Sequence, residues 1–412
     1  MQYNHAMSYV ADLHVHSRYA YATSRDLDFD SLASHAKIKG IDLLASADFT
    51  HPEWIEESRL KLNDAGTGLY EYGGVSFILG TEVECHGRQG GRGRRVHVLV
   101  FAPDFAAVER INAAISRYGR LDGDGRPALG LLPRDLLALI KGIHERCFLI
   151  PAHLWTPWFG LYGSKSGYDS LEECFGSLAS EIPAIETGLS SDPAMNWRVP
   201  SLDDVAIMSF SDAHSTPNLG RELTVMNGEM TYDGLVGAMR RQNILYTVEF
   251  YPEEGKYHHS GHRACHVKLS PDEVRERGET CPSCGRPITV GVSYRVEELG
   301  GRHVDTWVGD DGLMRGDTGR PPFKSLVPLR EILSESLGVG VRTKTVGRVY
   351  ERLIERFGTE LSVLMEAPIA EIDFASDERT AEGIERVRQG EIYIEPGYDG
   401  VYGTVRVLGS ET

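Results

Sequence analysis

The sequence is poor in cysteine, has no long apolar run and carries fewer positive than negative charges. Six cysteines among 412 residues are too few for the disulfide framework of a small secreted protein. No apolar run reaches the ~18 residues that a transmembrane helix needs. The first residues, MQYNHAMSYVADLH, lack the basic start and the long apolar stretch of a secretory signal. We therefore expect a cytoplasmic protein that does not enter a membrane.

The charge balance argues against nonspecific binding to polyanions. The chain has 43 lysines and arginines against 60 acidic residues, a formal net charge of −17, whereas nonspecific nucleic-acid binders need a basic face. Local charge departs from this total between Cys85 and Pro103, where no acidic residue occurs. This interval, which includes HGRQGGRGRRVH, contains Arg88, Arg92, Arg94 and Arg95. We interpret it as a flexible cationic loop; the alternative is a solvated hairpin tip.

The order of apolar segments indicates the fold class. A chain of 412 residues predicts two or three domains of a typical ~150 residues each. Segments suited to buried strands recur in the first half, at 9–13, 41–47, 75–80, 96–101, 148–151, 184–186 and 205–210. Helical patterns lie between several of them, for example at 31–38 and 133–144. This alternation predicts an α/β fold with a mainly parallel sheet.

Metal-ligand residue types recur where the predicted strands end. His14 and His16 follow the first strand in YVADLHVHSRYA, and residues two apart on a strand face the same side. The later strands are followed by, or contain, Asp48, Glu82, His97, His153, Asp212 and His214. Functional residues of α/β folds gather at the carboxyl ends of strands. Because independent core histidines would not repeat this placement, the sequence predicts a site for several metal ions.

The mixture of donors indicates the chemistry. Imidazoles and carboxylates together suit Zn, Mn or Fe rather than Ca or Mg alone, which prefer oxygen ligands. A carboxylate such as Glu82 or Asp212 can bridge two ions, and paired ions favour phosphoryl displacement by water. The chain has no G-x-S-x-G motif and no Walker loop. We expect metal-dependent hydrolysis of a phosphate ester, with Asp212, Glu82 and His153 as catalytic residues.

These motifs resemble those of the PHP (polymerase and histidinol phosphatase) superfamily. The order HxH, D, E, H, H, SDAH covers roughly residues 8–225. The resemblance implies a distorted (β/α)7 barrel that holds two or three divalent metals, drawn from Zn, Mn, Fe or Mg. The ligand positions that it implies are His14, His16, Asp48, Glu82, His97, His153, Asp212 and His214. Phe49 stands where members usually have a histidine, so His51 is the candidate replacement; the alternative is that His51 is a loop residue without a ligand role. Residues 20–24 offer no further ligand for a third metal.

A cysteine cluster follows this region. Cys281 and Cys284 form a CxxC, and His262 with Cys265 forms an HxxC. Four such ligands close a tetrahedral site and leave no open position, so we expect one structural zinc. Three nearby histidines compete with His262 for the fourth position: His266, His258 and His259.

The three-part layout resembles the endonuclease Q family within the PHP superfamily. We expect a barrel at 1–250, a zinc-binding module at 251–312 and a mainly helical domain at 313–412. Resembling stretches include DLHVHSRYA, SADFTHPEW, FGLYGSKSGYDSLEECFG, ETGLSSDPAMNWR and EPGYDGVYG. In the last of these, we interpret Tyr398 and Tyr402 as packed side chains; the alternative is contact with a ligand. The resemblance implies a DNA-repair endonuclease that cuts the phosphodiester 5′ to uracil, hypoxanthine or xanthine and at abasic sites. Such specificity requires extrusion of the damaged nucleotide.

DNA contacts are expected from the aromatic segment that follows His153, LWTPWFGLYGSKSGYDS, and from arginines. Aromatic faces can stack on bases, and backbone amides with a lysine can hold a phosphate. The candidates are Trp155, Trp158, Phe159, Tyr162, Ser164, Lys165, Arg18, Arg88, Arg92 and Arg198. The alternative for the aromatic segment is a lid that closes the barrel.

Two other functions compete with the endonuclease. A PHP-type phosphomonoesterase of the histidinol-phosphatase kind would have no use for the zinc module, the helical tail or the arginines. A non-catalytic DNA-binding scaffold would not be expected to keep both Glu82 and Asp212. We expect a monomer that acts on DNA near the nucleoid. Some endonuclease Q proteins bind a sliding clamp, but the tail GTVRVLGSET has no apolar-aromatic docking motif to support that partner.

Overall fold

The structure is a computed structural model that describes residues 8–409. Residues 1–7 and 410–412, on which the signal-peptide and tail interpretations partly depend, lie outside the described residues. Within 8–409, the strands are β1 (Ser8–Asp12), β2 (Leu43–Ala45), β3 (Asn63–Asp64), β4 (Tyr70–Tyr72), β5 (Val75–Gln89), β6 (Arg92–Ala102), β7 (Ala128–Leu129), β8 (Phe148–Pro151), β9 (Ala184–Glu186), β10 (Ala206–Met208), β11 (Leu223–Asn227), β12 (Ile244–Glu249), β13 (Ser260–His262), β14 (Val267–Leu269), β15 (Thr306–Val308), β16 (Met314–Gly316), β17 (Phe323–Ser325), β18 (Tyr393–Glu395) and β19 (Thr404–Arg406).

The α-helices of the same range lie between these strands and at the C-terminal end. They are α1 (Phe29–Lys39), α2 (Pro52–Lys61), α3 (Phe105–Ile115), α4 (Pro133–Ile143), α5 (Leu171–Phe175), α6 (Pro193–Trp197), α7 (Tyr232–Arg240), α8 (Pro271–Arg277), α9 (Val292–Leu299), α10 (Leu329–Leu337), α11 (Lys344–Phe357), α12 (Glu360–Met365), α13 (Ile369–Ala375) and α14 (Glu378–Gln389). Helices α1 and α4 match the predicted segments 31–38 and 133–144. None of the helices in the described range combines the length and the apolar character that crossing a bilayer demands.

A thirteen-stranded mixed sheet forms the centre of the molecule. Its main path runs β15-β16-β17-β12-β11-β1-β2-β5-β4-β3, with β6 and β7 joined to β5, and β8 joined to β6. Strands β9 and β10 form a separate parallel pair. The predicted α/β class and helical C-terminal region are therefore confirmed.

The expectation of a mainly parallel sheet is wrong. Strands β1, β2 and β5 are parallel neighbours, but β11 pairs antiparallel with β1, and β6 pairs antiparallel with β5 and β8. The cause at β5–β6 is local: Gly90 and Gly91 both have positive φ, at 58° and 77°, so a two-residue turn sends the chain straight back. The arginine-rich segment is thus the end of a paired hairpin and not a flexible loop.

Three hydrophobic clusters organise the molecule. The largest surrounds the central sheet, from Tyr9 to Phe323. The second joins β11 and β12 to helices α10–α14, and the third is a small group of Leu269, Val274, Cys281 and Ile288. Strands β15–β17 extend the central sheet across the predicted boundary at residue 312, and the C-terminal helices begin at Leu329. The division into three domains, with boundaries at residues 250 and 312, stays a prediction.

Candidate active site

Two groups of possible metal ligands share one carboxylate. His14, His16, Glu82 and Asp212 form the first group, and Glu82, His97 and His153 form the second; within each group the donor atoms lie within 4.8 Å of one another. Strand β5 carries Glu82 and β6 carries His97, while the others follow β1, β8 and β10. Glu82 therefore stands where a carboxylate would bridge two ions.

The donor atoms of these groups converge in a buried space. His16 Nε2 lies 3.1 Å from Asp212 Oδ1, and His153 Nε2 lies 3.2 Å from Glu82 Oε1. His14 Nε2 is buried without a hydrogen bond to any described residue, and His97 Nδ1 lies 2.7 Å from Glu82 Oε1 without hydrogen-bonding geometry. Because buried polar atoms rarely lack partners, these nitrogens facing carboxylates fit the binding of divalent cations.

The electrostatics of the site favour positive charge. Burial alone would lower the pKa of His14, but the carboxylates of Glu186, Asp212 and Glu82 outweigh it and raise that pKa well above its usual value. Burial likewise opposes ionisation of Glu82, yet His97, Arg126 and His14 hold its pKa well below the usual range. Since metals compete with protons for such donors, the same carboxylates that attract a proton to His14 would attract a cation.

Glu186 is a site residue that the sequence analysis did not select. Its Oε1 lies 2.8 Å from His14 Nδ1, and its Oε2 accepts the backbone N–H of His153 at 2.6 Å. A carboxylate behind an imidazole fixes which ring nitrogen faces the metal. Its position at the end of the predicted strand 184–186 was the available signal.

Asp48, His51 and His214 lie outside the two groups. Asp48 Oδ1 lies 3.2 Å from His16 Nδ1, and its Oδ2 accepts the Ser17 backbone N–H at 2.6 Å, so it orients His16. The His51 ring stacks on Tyr19 at 4.2 Å between centroids, and burial lowers the pKa of His51. His214 packs against the His16 ring at 4.5 Å. The ligand roles of these three residues stay predictions.

Three of the site residues have left-handed backbone conformations. Asp48, His153 and Asp212 have φ values of 28°, 31° and 46°, which costs a non-glycine residue about 1–3 kcal/mol and is usual at functional sites. Arg221 holds the turn at Asp212: its Nε donates to the Ser211 carbonyl at 2.8 Å, and its Nη2 donates to the Asp212 carbonyl at 3.3 Å. The site is therefore preorganised by its surroundings.

Close packing against His153 explains why residue 188 is a glycine. A Cβ on Gly188 would lie 2.4 Å from Cα and Cβ of His153. Any side chain there would displace the turn that presents His153 to Glu82.

Arg126 was also missed. Its Nη1 lies 3.1 Å from Glu82 Oε2, and the adjacent Glu82 raises the pKa of Arg126, so it stays positively charged. Arg126 belongs to the connection between α3 and β7, where no strand-end pattern drew attention to it. Only the tertiary structure brings it to the metal-ligand groups.

A cleft of about 790 Å³ opens over His97, His153 and Asp212. All three predicted regions line it, with Trp158 from the first, Lys256 and Tyr257 from the second, and Tyr402 from the third. Trp158 and Tyr257 meet edge to face at 5.1 Å, and Lys256 Nζ lies 5.6 Å from the Tyr402 ring. Tyr402 is 68% exposed, so its interpretation as a packed side chain is wrong.

Two of the predicted base-stacking residues belong to the core. Trp155 and Tyr162 are fully buried, and Trp155 Nε1 donates to Asn196 Oδ1 at 2.8 Å. With both rings fully buried, neither has a face open to a base in this structure, and their contact with DNA stays a prediction. Phe159 instead stacks on His97 at 4.4 Å.

The remaining predicted DNA contacts have mixed surroundings. The Ser164 hydroxyl donates to the Val290 carbonyl at 2.9 Å, Arg18 pairs with Glu57 at 2.5 Å, and Arg198 lies 3.8 Å from Glu297. Lys165, Arg88 and Arg92 are exposed. Their contacts with DNA stay predictions.

The cysteine cluster forms a closed set of four donors. His262, Cys265, Cys281 and Cys284 lie within 4.8 Å of one another, whereas His266, His258 and His259 are outside this group. Gly285, with φ of 72°, donates its N–H to the Cys281 carbonyl and closes the turn. Burial would raise the pKa of Cys281, but the backbone amides of residues 283 and 284 lower it to about 7, which favours a thiolate. The four donors fit a tetrahedral ion, and the geometry favours His262 over its rivals.

The donor sets could hold divalent metals, and a mixed α/β fold with a helical C-terminal region carries them. Among solved structures, the lesion-specific endonuclease PfuEndoQ from Pyrococcus furiosus is 30% identical, covers 98% of both chains and has a TM-score of 0.84. A structure of endonuclease Q with a 27-mer duplex that carries an abasic lesion at the active site is 30% identical, covers 98% of this chain and 99% of that chain, and has a TM-score of 0.85. The chain belongs to the endonuclease Q family.

Sequence relatives cover different shares of the chain. Protein YqxK of Bacillus subtilis is 30% identical over 417 residues, which span 96% of this chain and 98% of YqxK. Protein MJ0043 of Methanocaldococcus jannaschii is 33% identical over 274 residues, 65% of this chain but 32% of MJ0043, so the match spans about a third of that relative. Residues 328–391 match the family model of the MJ0043 C-terminal domain.

Proposed function

We propose that this protein is a lesion-specific DNA endonuclease that hydrolyses the phosphodiester 5′ to deaminated bases and abasic sites. The observation that carries the proposal is the pair of ligand groups that share Glu82, three of whose members, His97, His153 and Asp212, line a cleft to which all three regions contribute. The likeness to endonuclease Q bound to a duplex with an abasic lesion supports DNA as the substrate. Uracil, hypoxanthine and xanthine are the deaminated bases that we propose.

We infer that the two groups hold divalent metals, drawn from Zn, Mn, Fe or Mg. When bound, paired ions supply Lewis acidity and activate water for attack on a phosphodiester. The chain's own residues set the geometry: Glu186 orients His14, Asp48 orients His16, and Arg221 holds the backbone of Asp212. A third ion would need His51 or another donor to join the groups. We also propose that the strands around this site form the distorted barrel of the PHP type.

The cleft suits one extruded nucleotide. Its volume of about 790 Å³ lies in the ~300–1,000 Å³ range of small-molecule sites. Trp158 and Tyr257 offer aromatic faces, and Lys256 adds a positive charge beside them. Extrusion costs least where base pairing is already weak, which would favour deaminated and abasic nucleotides over intact ones.

The cysteine cluster has a structural role in this proposal. His262, Cys265, Cys281 and Cys284 would hold zinc and leave no position for substrate. We propose that this module is a domain of its own, between residues 251 and 312, with the helical domain following it. We further propose that the enzyme is a monomer in the cytoplasm and that it acts on DNA at the nucleoid.

The proposal is tested with duplexes that carry one uracil, hypoxanthine or abasic site, incubated with Mn, Mg or Zn beside an undamaged duplex. We expect a single cut 5′ to the lesion and none in the undamaged duplex. Asp212→Asn should abolish cutting while lesion-DNA binding stays detectable, because the substitution removes one charged donor from the first ligand group but leaves the cleft.

Metal analysis of the purified protein gives the control. The enzyme should contain at least two ions beyond the structural zinc, whereas a non-catalytic scaffold would contain the zinc alone. Full cutting by Asp212→Asn would contradict its ligand role. Rapid release of phosphate from small monoesters without any cutting of lesion DNA would support the phosphomonoesterase instead.

A further inference from the structure

A second depression meets the cleft at the metal-ligand groups. It has a volume of about 480 Å³ and shares His97, Arg126 and Phe159 with the cleft. Its other walls include Arg95, Arg120 and Tyr21. We call this depression, defined by Arg95, Arg120, Arg126 and Tyr21, the arginine groove.

The arginine groove differs in charge from the chain as a whole. Its lining contains three arginines and two carboxylates, Glu84 and Asp124, and the carboxylates that pair with Arg126 and Arg120 lie outside the lining. Asp124 Oδ1 already accepts the backbone N–H groups of Tyr21 and Arg126, each at 3.0 Å. Glu84 is engaged by Arg95 Nε at 2.7 Å. The two carboxylates of the lining are therefore already engaged, and the groove offers an anion the exposed guanidinium groups of Arg95 and Arg120.

The arginines keep donors for such an anion. Arg95 is 53% exposed, and Arg120, which pairs with Asp122 at 3.1 Å, is 83% exposed. A guanidinium has five N–H donors, so one carboxylate partner leaves others free, and exposed ion pairs are weak enough for a phosphate to compete with them. Tyr21 is 76% exposed and presents an aromatic face for a base.

We propose that the arginine groove binds the nucleotides on the 5′ side of the lesion, an inference that rests on the proposed function. The bond to be cut lies between the lesion nucleotide and its 5′ neighbour. If the lesion nucleotide occupies the cleft and this bond lies at Glu82, the strand must continue past Arg126. The arginine groove begins at that residue, with phosphate donors at Arg95 and Arg120 and a stacking surface at Tyr21.

The test measures binding of lesion duplexes whose damaged strand has a 5′ flank shortened stepwise from about ten nucleotides to one. A reciprocal series shortens the 3′ flank. Arg120→Gln and Tyr21→Ala are compared with a matched control, Arg134→Gln, because Arg134 is half exposed, pairs with Asp135 and lies on α4 outside the arginine groove. Each protein also carries Asp212→Asn so that the duplex stays intact.

We expect Arg120→Gln and Tyr21→Ala together to weaken binding of the full duplex by about tenfold, consistent with one phosphate contact and one stacked base. The difference should vanish once the 5′ flank is a single nucleotide and should persist throughout the 3′ series. Arg134→Gln should behave as the parent protein.

Two results would overturn the inference. Equal binding by the groove variants and the control would show that the groove takes no part, and a difference that vanishes in the 3′ series would reverse the strand direction. Failure of the unmodified protein to cut lesion DNA would instead reject the proposed function, so the two failures are distinguishable.

Discussion

Buried carboxylates of this protein fall into two kinds, according to what surrounds them. Glu82 and Asp212 face imidazoles, and these lower the pKa of both carboxylates in spite of burial. Glu222 and Glu249 lie in a second buried region, where burial raises the pKa of both side chains. Glu82 and Asp212 therefore stay negatively charged and can bind cations, whereas Glu222 and Glu249 favour the protonated, neutral form.

Burial favours the neutral form of Glu249, against hydrogen bonds that favour its charged form. Its Oε1 accepts hydrogen bonds from the hydroxyls of Ser209 and Thr247, and its Oε2 is buried without a partner among the described residues. Glu222 beside it accepts the backbone N–H groups of Leu189 and Phe250, at 3.0 and 3.1 Å, and both of those residues line the cleft.

We predict that Glu249→Gln removes part of the pH dependence of stability. Burial raises the pKa of Glu249 from 4.5 to about 8 in the folded protein. Between these values the unfolded chain has lost the proton that the folded protein retains, so the free energy of unfolding falls as the pH rises through this window and levels off above it. The glutamine is neutral throughout, and the stability of the variant relative to the parent should grow by roughly 2–5 kcal/mol from pH 5 to pH 9.

Urea unfolding at both pH values checks this prediction. Glu71→Gln, an exposed glutamate on β4, is the control and should follow the parent protein. A constant difference between Glu249→Gln and the parent at all pH values would show that Glu249 titrates normally.

At the scale of elements, the zinc-binding module has a hydrophobic core around its cysteine cluster that is too small to stabilise the fold without metal. Only Leu269, Val274, Cys281 and Ile288 form its buried cluster. The ligands lie at the end of the short strand β13, in the turn between β13 and β14, and in the turn at Cys281–Gly285. Because small segments of this kind depend on metal binding for their folding energy, the metal and the module should be lost together.

We predict that Cys284→Ser releases one equivalent of zinc and makes residues 258–290 sensitive to protease. A chromophoric chelator and limited proteolysis measure the two effects. The ions that we propose for the two groups sharing Glu82 should stay bound, since those groups have no residue in common with the cysteine cluster. Arg286→Gln, an exposed neighbour that contributes only its backbone carbonyl to the turn, is the control. Retention of the full zinc content by Cys284→Ser would contradict the structural site.

At the scale of the whole molecule, a buried ion pair joins the helical region to the central part. Lys39 at the end of α1 lies 2.7 Å from Glu360 at the start of α12, and both side chains are nearly fully buried. Glu360 also accepts the Leu329 backbone N–H at 3.1 Å and the Tyr350 hydroxyl at 2.6 Å. The pair thus anchors three C-terminal helices to α1.

We predict that Glu360→Gln lowers the free energy of unfolding by about 3–5 kcal/mol, since Lys39 would be left as an uncompensated buried charge. Lys39→Met combined with Glu360→Gln should recover much of this loss, because no buried charge then remains. Denaturant unfolding of the parent, the single variants and the double variant measures the coupling. A double variant no more stable than Glu360→Gln alone would show that the charge of Lys39 is not the cause.

Periodicity and strand-end placement were enough to predict the α/β class, the helices α1 and α4, and the gathering of His14, His16, Glu82, His97, His153 and Asp212. This succeeded because strand ends in α/β folds meet at a common edge, whatever the details of pairing. The spacing of His262, Cys265, Cys281 and Cys284 was equally informative, since a tetrahedral site needs few residues and short separations.

Only the tertiary structure decided which way the strands pair and which polar residues complete the site. Strand direction depends on turns such as Gly90–Gly91 and on which segments are neighbours, and neither is encoded in hydrophobic periodicity. Glu186, Arg126 and Tyr402 reach the site through contacts between distant segments, whereas Trp155 and Tyr162 are turned into the core. An aromatic or charged side chain looks the same in the sequence whether it faces the cleft or the interior, because packing against the rest of the chain determines its exposure.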